Sequence, residues 1–424
     1  MIRRLSTLLV LAALAACTNF SEQNQAGSWG GGSPPRSGST VAIVDVSVLP
    51  MDREVVLPHQ TVLIVGQRIT ALGPSDSVDI PEDALQIDGS GRFLMPGLSD
   101  MHAHLRRKDG HLPQDYLHQG ITVIRNMAGD PDHLRLREAL EAGEHSGPLF
   151  YTTGRPLTSS DLFPSHRLVE TAAEGRAAVR EQSAAGFDYV KVYSLLSKDA
   201  FDGIAAEAAA LGMPVIGHVS DLVRLHHSIE RGMSSVEHFY GYFWELESET
   251  SSLAGEWAPQ PLFHAVEIDP AKLRELAELT AEAGVWNCPT LWRKNHYLTA
   301  PVAQEAWNDP ALRALGEANR LALVKALHDA GAGLLTGTDD RAEVIHEELA
   351  LFVEAGLTPY ETLRAATVNA ATYFAAADDF GTVAVGRRAN LVLLDANPLA
   401  DIRHTRAIHG VLINGDWMPL TTTG

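Results

Sequence analysis

Short apolar segments alternate with longer amphipathic segments through the middle of the chain. The short segments predict strands at Leu94–His104, Thr122–Asn126, Leu149–Thr153, Tyr189–Tyr193, Val215–His218, Ser235–His238, Val285–Cys288 and Gly333–Thr336. The amphipathic segments predict helices at Asp132–Ala142, Thr171–Ala185, Lys198–Leu211, Leu222–Arg231, Pro270–Ala283 and Ala311–Ala330. Eight strands that alternate with helices predict an α/β fold, a (β/α)8 TIM-type barrel, over residues 93–375.

Both ends of the chain have a different pattern, of short strands with alternating apolar residues. They are Val41–Val48, Gln60–Val65, Arg68–Leu72 and Leu85–Asp88 near the start, and Leu391–Leu394, Ala407–Ile413 and Asp416–Met418 near the end. The Gly66-Gln67 and Asn414-Gly415 pairs suit hairpin turns. Neither set is large enough for a domain by itself, so we expect one small β-sandwich domain built from residues 41–92 and 376–424.

Residues 239–268 interrupt the alternation after the sixth predicted strand of the barrel. They are rich in Trp, Tyr, Phe, Glu and Pro and match neither the strand nor the helix pattern well. An insertion at the carboxyl end of a barrel strand lies over the barrel mouth, where loops carry function. This segment is therefore a candidate for a lid or a substrate wall.

Residues 1–17 have the pattern of an export signal. Two arginines precede an apolar run that is too short to span a bilayer, and the run ends in Leu-Ala-Ala-Cys at Cys17. That ending resembles a bacterial lipobox, which implies a lipid anchor at Cys17; an ordinary signal peptide is the alternative. Thr18 after the cysteine favours the outer membrane, and the polar residues 18–40 predict a disordered tether. We expect an exported, periplasmic lipoprotein.

Composition narrows the possible partners. The chain has 424 residues, of which 45% are hydrophobic and 20% charged, so it can build a large core. The formal net charge of −20 argues against a nucleic-acid partner, because the phosphates would be repelled. With only two cysteines, Cys17 and Cys288, the chain has too few thiols for a disulfide framework or a multi-cysteine zinc site.

Side chains that can bind metals stand on or just after four of the predicted barrel strands. They are His102 and His104 on the first strand, His218 on the fifth, His238 on the sixth and Asp339 after the eighth. Lys191 lies on the fourth strand, which is otherwise apolar apart from its two tyrosines. Because side chains on a strand alternate, His102 and His104 project to the same side, an arrangement that suits a divalent transition metal. A barrel gathers its chemistry at the carboxyl ends of its strands, so this set predicts a metal centre.

The order and strand positions of these residues resemble the amidohydrolase superfamily, in its prolidase-like and imidazolonepropionase-like metal-dependent branch. The resemblance covers about residues 41–419. It implies that His102, His104 and Asp339 bind one divalent metal, and that His218 and His238 bind a second. It also implies that the metals are zinc in the usual case.

The resemblance further implies that Lys191 is carboxylated by CO2 and bridges both metals. Charge supports this role, because a buried ammonium group is costly whereas a carboxylate is compensated by two cations. A bridging hydroxide is then expected to attack a carbonyl that one metal polarises. Asp339 is then expected to take the proton and pass it to the leaving group.

The predicted protein is thus an exported, binuclear, metal-dependent hydrolase of carbon–nitrogen bonds, with a dipeptide, an Xaa-Pro peptide or an N-acyl amino acid as its small-molecule substrate. The same centre acting on a cyclic amide, lactone, carbamate or phosphoester is the alternative. A mononuclear deaminase and a non-catalytic surface-tethered binding protein remain further hypotheses. A homo-oligomer is compatible with the resemblance, although no sequence feature specifies its interface.

Two further residues are candidates for substrate binding. Tyr193 lies two residues beyond Lys191 on the same strand face and is placed to donate to a carbonyl or carboxylate, or else to pack at the rim. His166 follows the third strand and is a candidate for the pocket wall. After the second strand, Arg125-Asn126 stands where relatives commonly have Arg-Asp, which leaves the role of Asn126 open.

Overall fold

The computed structural model describes residues 40–106, 111–162, 165–250, 265–293 and 310–420. The predicted signal segment with Cys17, and the predicted tether up to residue 39, lie outside the described residues. The chain divides into two compact units. Unit 1 contains residues 127–134 and 152–334, and unit 2 contains residues 40–126, 135–151 and 335–420.

The strands of the described residues are numbered here in chain order. They are β1 (Thr40–Val48), β2 (Leu57–Val65), β3 (Arg68–Pro74), β4 (Leu85–Asp88), β5 (Phe93–Pro96), β6 (Leu98–Ala103), β7 (Ile121–Asn126), β8 (Leu149–Thr152), β9 (Leu157–Thr158), β10 (Arg167–Leu168), β11 (Val190–Val192), β12 (Val215–Gly217), β13 (Met233–Glu237), β14 (Trp286–Cys288), β15 (Gly333–Leu334), β16 (Leu391–Leu394), β17 (Ile408–Ile413) and β18 (Asp416–Pro419). The predicted strands of the interior are therefore present; five are one or two residues shorter than predicted, and two are one residue longer.

The α-helices alternate with the interior strands and then follow them. They are Pro113–His118, Pro131–Glu141, Ala172–Ala185, Lys198–Leu211, Leu225–Glu230, Tyr242–Leu246, Pro270–Glu282, Pro310–Asp329, Ile345–Glu354, Pro359–Ala365 and Val368–Tyr373. All six predicted helices are confirmed, and the predicted Leu222–Arg231 is shortened to Leu225–Glu230. No helix in the described part of the chain is both long enough and apolar enough to span a bilayer.

Strands from both chain ends share one eight-stranded sheet in unit 2. Its order is β18-β17-β16-β5-β1-β2-β3, and β4 pairs with β1. The C-terminal strands β16, β17 and β18 pair antiparallel, and β16 also pairs antiparallel with β5 from the N-terminal set. Side chains of both sets, such as Ile43, Val62 and Leu393, pack into one apolar cluster. The β-sandwich form and the domain boundaries stay predictions.

The interior strands form parallel sheets. In unit 1 the sheet order is β10-β9-β11-β12-β13-β14-β15, with parallel pairing between each pair of neighbours. A second sheet has the order β6-β7-β8, in which β6 pairs parallel with β7. The molecule is therefore a mixed α/β protein with parallel sheets, as expected from the alternation of strands and helices. Closure into a single barrel stays a prediction.

The sequence predicted the first interior strand as one continuous strand, Leu94–His104. In the structure it is divided into two strands. The chain changes sheets at Gly97, so that β5 ends at Pro96 and β6 begins at Leu98. A Cβ at Gly97 would lie 2.2 Å from the Cγ2 atom of Thr122. The absence of a side chain at Gly97 therefore allows the crossing between the two sheets.

Local sequence signals fix the helix that precedes β11. The hydroxyl of Thr171 accepts a hydrogen bond from the backbone N–H of Glu174, whose carboxylate accepts from the N–H of Thr171 at 3.1 Å. This capping box starts the helix Ala172–Ala185, and Gly186 ends it with a left-handed φ of 90°. The fixed helix ends set where β11 begins, and β11 carries Lys191.

Candidate metal centre

Three of the predicted metal ligands come together in unit 2. His102 lies in β6 and is fully buried, and His104 follows directly after that strand. The carboxylate atom Oδ1 of Asp339 lies 3.7 Å from Nε2 of His102 and 3.2 Å from Nε2 of His104. Possible ligand atoms of all three residues lie within 4.8 Å of one another. Two imidazoles and one carboxylate at this spacing fit a divalent transition metal.

Backbone hydrogen bonds fasten the segment that carries Asp339 to β6. The N–H of Met101 donates to the carbonyl of Thr336, and the N–H of Asp339 donates to the carbonyl of His102, both at 2.8 Å. Asp339 has a φ of 49°, in the left-handed region that residues other than glycine rarely adopt. Such a conformation persists where surrounding contacts hold it, which is common at functional sites.

The two polar residues that end β7 bind the backbone on either side of the histidine pair. Arg125 is fully buried, and its Nε donates to the carbonyl of Met101 at 2.6 Å. The amide oxygen of Asn126 accepts from the N–H of Leu105 at 3.0 Å. Asn126 therefore makes a contact with the backbone beside the histidine pair, which an amide can make without a charge.

Sequence reasoning missed Asp100, which lies in β6 two residues before His102 and is fully buried. It accepts hydrogen bonds from the N–H groups of His102 and Thr338 at 3.1 and 3.0 Å, and from the Thr338 hydroxyl at 2.6 Å. Burial raises the pKa of Asp100 to about 6, although these hydrogen bonds oppose the shift. An acidic residue two positions before His102 in an apolar strand was the available sequence signal.

Lys191 lies in β11 of unit 1, where only 2% of its surface is exposed. Its register partner in the neighbouring strand β12 is Ile216. Its Nζ atom lies 5.9 Å from the centre of the Tyr193 ring. A lysine that extended its amine to solvent at the rim would be more exposed, so the side chain does not adopt that arrangement.

His218 and His238 are neighbours in unit 1, with ring centres 5.1 Å apart. Each imidazole has its Nδ1 atom against a hydroxyl. Nδ1 of His218 lies 3.0 Å from Oγ of Ser194, and Nδ1 of His238 pairs with Oγ1 of Thr290. Partners of this kind fix the ring orientation of metal-binding histidines, so Nε2 is the nitrogen that a metal would take.

The backbone around His238 is unusual. His238 and Phe239 both have a φ of 59°, and Thr290, which pairs with the imidazole, has a φ of 48°. Each left-handed residue of this kind costs on the order of 1 kcal/mol or more. Such conformations cluster at functional sites, and here three occur together, at one candidate ligand, the residue after it and its hydroxyl partner.

Aromatic rings enclose His218. Tyr240 stacks on its imidazole with ring centres 4.0 Å apart and planes at 11°, and Tyr193 packs on it at 4.1 Å and 30°. The ring of His166 meets Tyr193 edge-on at 4.2 Å. Both predicted substrate residues therefore belong to the surroundings of His218, whereas their contact with a substrate stays a prediction. Tyr240, in the predicted insertion, was missed.

The predicted ligands thus form two groups, each within its own unit. The first consists of His102, His104 and Asp339 in unit 2, and the second of Lys191, His218 and His238 in unit 1. The donor chemistry of the first group fits a metal ion by itself. A binuclear centre that uses both groups stays a prediction.

Comparison with known proteins gives a family match over most of the chain. The sequence model described as the amidohydrolase family matches residues 93–418. Ochratoxinase from Aspergillus niger is 25% identical over 413 residues, which cover 80% of this chain and 78% of that protein. Adenine deaminase from Rubrobacter xylanophilus is 24% identical over 86% of this chain, and the match spans only 55% of the deaminase.

Solved structures show the same fold. A Bifidobacterium longum protein assigned as a prolidase superposes with a TM-score of 0.73 and 22% identity, over 90% of this chain and 95% of that one. The A. niger ochratoxinase superposes with a TM-score of 0.71 and 21% identity, over 91% and 96% of the two chains. At these identities the likeness concerns the fold alone.

Proposed function

The chain belongs to the amidohydrolase family, and we propose from this premise that it is a metal-dependent hydrolase of an amide or peptide bond. The observation that carries the proposal is the convergence of His102, His104 and Asp339, whose ligand atoms lie within 4.8 Å of one another. Structural neighbours described as a prolidase, a Xaa-Pro dipeptidase and an ochratoxinase support amide hydrolysis as the reaction.

The proposed centre holds two divalent ions, with zinc as the first candidate. The ions would acidify a water molecule and polarise the carbonyl oxygen of the substrate. The proposed ligands are His102, His104 and Asp339 for one ion and His218 and His238 for the other, with carboxylated Lys191 shared between them. The hydroxyl partners of His218 and His238 would keep their rings in the binding orientation.

Asp339 is the proposed proton carrier. Its Oδ1 atom lies beside both histidine Nε2 atoms of the first group, and 11% of its side chain remains exposed. The carboxylate would accept the proton that the attacking water loses and deliver it to the leaving amine as the carbon–nitrogen bond breaks. Its left-handed backbone conformation supports this assignment, because such strained conformations are common at functional sites.

The burial of Lys191 supports its carboxylation. A charged ammonium at 2% exposure in an apolar strand is costly. Reaction of the neutral amine with CO2 forms an N–C bond and releases one proton, which leaves a carbamate anion. That anion provides two oxygen ligands for cations. We infer that this modified side chain completes the second group of ligands.

The proposed substrates are dipeptides, including Xaa-Pro peptides, and N-acyl amino acids. Tyr193 and His166 are the proposed substrate contacts, because their rings lie against each other beside His218. Deamination of adenine is the second candidate reaction. It is favoured by the sequence match to adenine deaminases, although this chain spans about half of their length.

Metal content and turnover together test the proposal. The wild type is expected to contain about two ions per chain and to cleave members of a panel of dipeptides and N-acyl amino acids. Lys191→Ala is expected to lose an ion and the activity. Lys198→Ala is the matched control, because its side chain is 53% exposed on a surface helix. Ammonia release from adenine without amide cleavage would favour the second candidate.

The measurements distinguish a failure of the proposed metal centre from a failure of the proposed reaction. One ion per chain that survives Lys191→Ala would remove the shared lysine from the proposal. Two ions without turnover of any amide would overturn the reaction and keep the centre. A protein without bound metal under all loading conditions would overturn both.

We also infer that the chain is exported and anchored by a lipid at Cys17. The inference is supported by the apolar run and the Leu-Ala-Ala-Cys sequence within residues 1–17. In bacterial cells the wild type is expected in the membrane fraction. Cys17→Ser is expected to move the protein out of that fraction, and an unchanged distribution would count against the anchor.

A further inference from the structure

We propose that Asp100 is the positioning residue that fastens together the two chain segments which supply the first group of metal ligands. This inference rests on the proposed function, because it concerns the same ligands. His102 and His104 come from one segment, and Asp339 comes from another, more than 200 residues later in the chain. A metal site needs all three donors held to within a fraction of an ångström.

The carboxylate of Asp100 bonds to both segments at once. Its Oδ1 atom accepts the N–H of His102 at 3.1 Å and the N–H of Thr338 at 3.0 Å. Its Oδ2 atom accepts the hydroxyl of Thr338 at 2.6 Å. Each partner is either a ligand residue or the residue directly before Asp339. Asp100 is therefore a side-chain link between the two segments at the level of the ligands.

The link acts next to a strained backbone position, Asp339. Asp339 holds a left-handed φ of 49°, a conformation that needs contacts on both sides to persist. The hydrogen bond from its own N–H to the carbonyl of His102 supplies one such contact. The two bonds from Thr338 to Asp100 hold the preceding residue, so the strained position is fixed from its N-terminal side.

Burial separates this role from direct catalysis. Asp100 and Thr338 are both completely buried, so neither side chain has surface from which to reach a substrate in solution. Asp100 accordingly works through the residues that it holds. Outer residues of this kind alter metal affinity by about 10- to 100-fold when they are removed.

The chemistry of the link predicts which substitutions preserve it. In Asp100→Asn the amide oxygen still accepts both backbone N–H groups, and the amide nitrogen donates to the Thr338 hydroxyl. That hydroxyl then donates to the carbonyl of Asp340, which already lies 3.2 Å from it. Asp100→Asn therefore keeps the geometry and removes the charge, whereas Asp100→Ala removes both. Thr338→Val removes the hydroxyl bond alone.

Cobalt titration of the metal-free, full-length protein tests the link without reference to turnover. Visible absorption reports the coordination of cobalt, and competition with a chelator gives the affinity. We expect Asp100→Ala to weaken binding of one equivalent by about 10- to 100-fold and Thr338→Val to weaken it by about tenfold. Asp100→Asn and Thr338→Ser are expected to stay within about threefold of the wild type.

Thr362→Val is the matched control for a buried hydroxyl. Thr362 is also completely buried, and its hydroxyl has no hydrogen-bond partner among the residues that the structure describes. This variant should bind cobalt as the wild type does. Circular dichroism of the metal-free proteins confirms that each variant is folded before its affinity is compared.

The outcomes discriminate between the inference and the proposed function. Unchanged affinity in folded Asp100→Ala would overturn the positioning role. Equal losses in Asp100→Asn and Asp100→Ala would assign the effect to charge and also overturn it. A wild type that binds no cobalt would instead overturn the proposed function on which the inference rests.

Discussion

The imidazole of His218 lies between two tyrosine rings, with Tyr240 at 4.0 Å and Tyr193 at 4.1 Å. Stacked aromatic pairs stabilise a given arrangement by about 0.5–1.5 kcal/mol beyond the burial of their area. For a metal ligand this free energy restricts the ring to the orientation in which Nδ1 meets Ser194. In the proposed centre, the two tyrosines would therefore hold the imidazole of His218 in its metal-binding orientation.

Removing the Tyr240 ring is expected to weaken the binding of the proposed second metal ion. Tyr240→Leu loses the stacked face, so the affinity for one equivalent of zinc should fall by about 2- to 10-fold, in line with the value of an aromatic pair. Tyr240→Phe keeps the ring and should bind as the wild type does. Zinc competition with a chromophoric chelator measures both affinities.

A loss in Tyr240→Phe as large as that in Tyr240→Leu would show that the hydroxyl matters and the stacking does not. Equal affinities in all three proteins would remove Tyr240 from the metal site. Both results would leave the first group of ligands unaffected, because that group belongs to the other unit.

The sequence indicated candidate ligands, three of which the structure brings together, but it did not indicate the residues around them. The period of two in a strand places His102 and His104 on one face without knowledge of the fold. Asp100 was missed because an acidic residue in an apolar strand does not by itself indicate its partner Thr338, which is 238 residues away in the chain. Tyr240 escaped because a stacked ring in an irregular segment leaves no periodic signal.

At the level of elements, Gly97 separates two strands that the apolar pattern joined into one. Hydrophobic periodicity does not report a change of sheet, because apolar side chains are buried on both sides of the break. The close approach of Thr122 to Gly97 is the physical reason for the glycine, and it is visible only in three dimensions. Short elements such as β9, β10 and the helix Pro113–His118 were missed because too few residues carry a period.

Gly97→Ala is expected to destabilise unit 2 by about 1–3 kcal/mol, the usual effect of a forced overlap in a packed interior. The new Cβ would lie 2.2 to 2.7 Å from three side-chain atoms of Thr122. Urea unfolding followed by circular dichroism measures the change. Gly73→Ala is the matched control in β3, because its Cβ would meet Val78 at an ordinary 3.5 Å.

The control should be neutral or slightly stabilising, since alanine reduces the freedom of the unfolded chain. Equal stabilities of Gly97→Ala and the wild type would mean that the two strands tolerate a side chain at the crossing. Thr122→Ala added to Gly97→Ala should recover part of the loss, because it removes two of the three overlapping atoms.

At the scale of the whole molecule, one buried histidine links stability to pH. His346 is 2% exposed, and its Nδ1 pairs with the Thr405 hydroxyl at 3.0 Å. Burial, with a smaller contribution from the Arg406 guanidinium, lowers the pKa of His346 to about 3. Arg406 is itself paired with Glu347 at 2.6 Å. The folded protein therefore keeps this imidazole neutral at any pH above about 3.

The direction of the effect follows from proton binding. Below its unfolded pKa of about 6.5, His346 takes up a proton in the unfolded chain and stays neutral in the folded one. The free energy of unfolding therefore falls as the pH drops from about 6.5 toward 3, by up to about 1.4 kcal/mol per pH unit. Above pH 6.5 this residue has no effect on the pH dependence.

His346→Gln is expected to lose this contribution, so its stability should fall less steeply than that of the wild type between pH 6.5 and 4.5. Urea unfolding at several pH values gives the two slopes. His118→Gln is the control, because His118 is exposed at the end of a surface helix. Parallel slopes for His346→Gln and the wild type would show that His346 is not the responsible group.

The eight-stranded sheet has a consequence for how the molecule is made. Strand β5 pairs with β16, which leaves the ribosome about 300 residues later; at about 5–20 residues per second this is a delay of some 15 to 60 s. During that time the edge of β5 that later pairs with β16 has no partner strand and is open to pairing with other chains, whereas its other edge pairs with β1. Biogenesis is thus expected to depend on chaperones that cover the first strands until the last ones arrive.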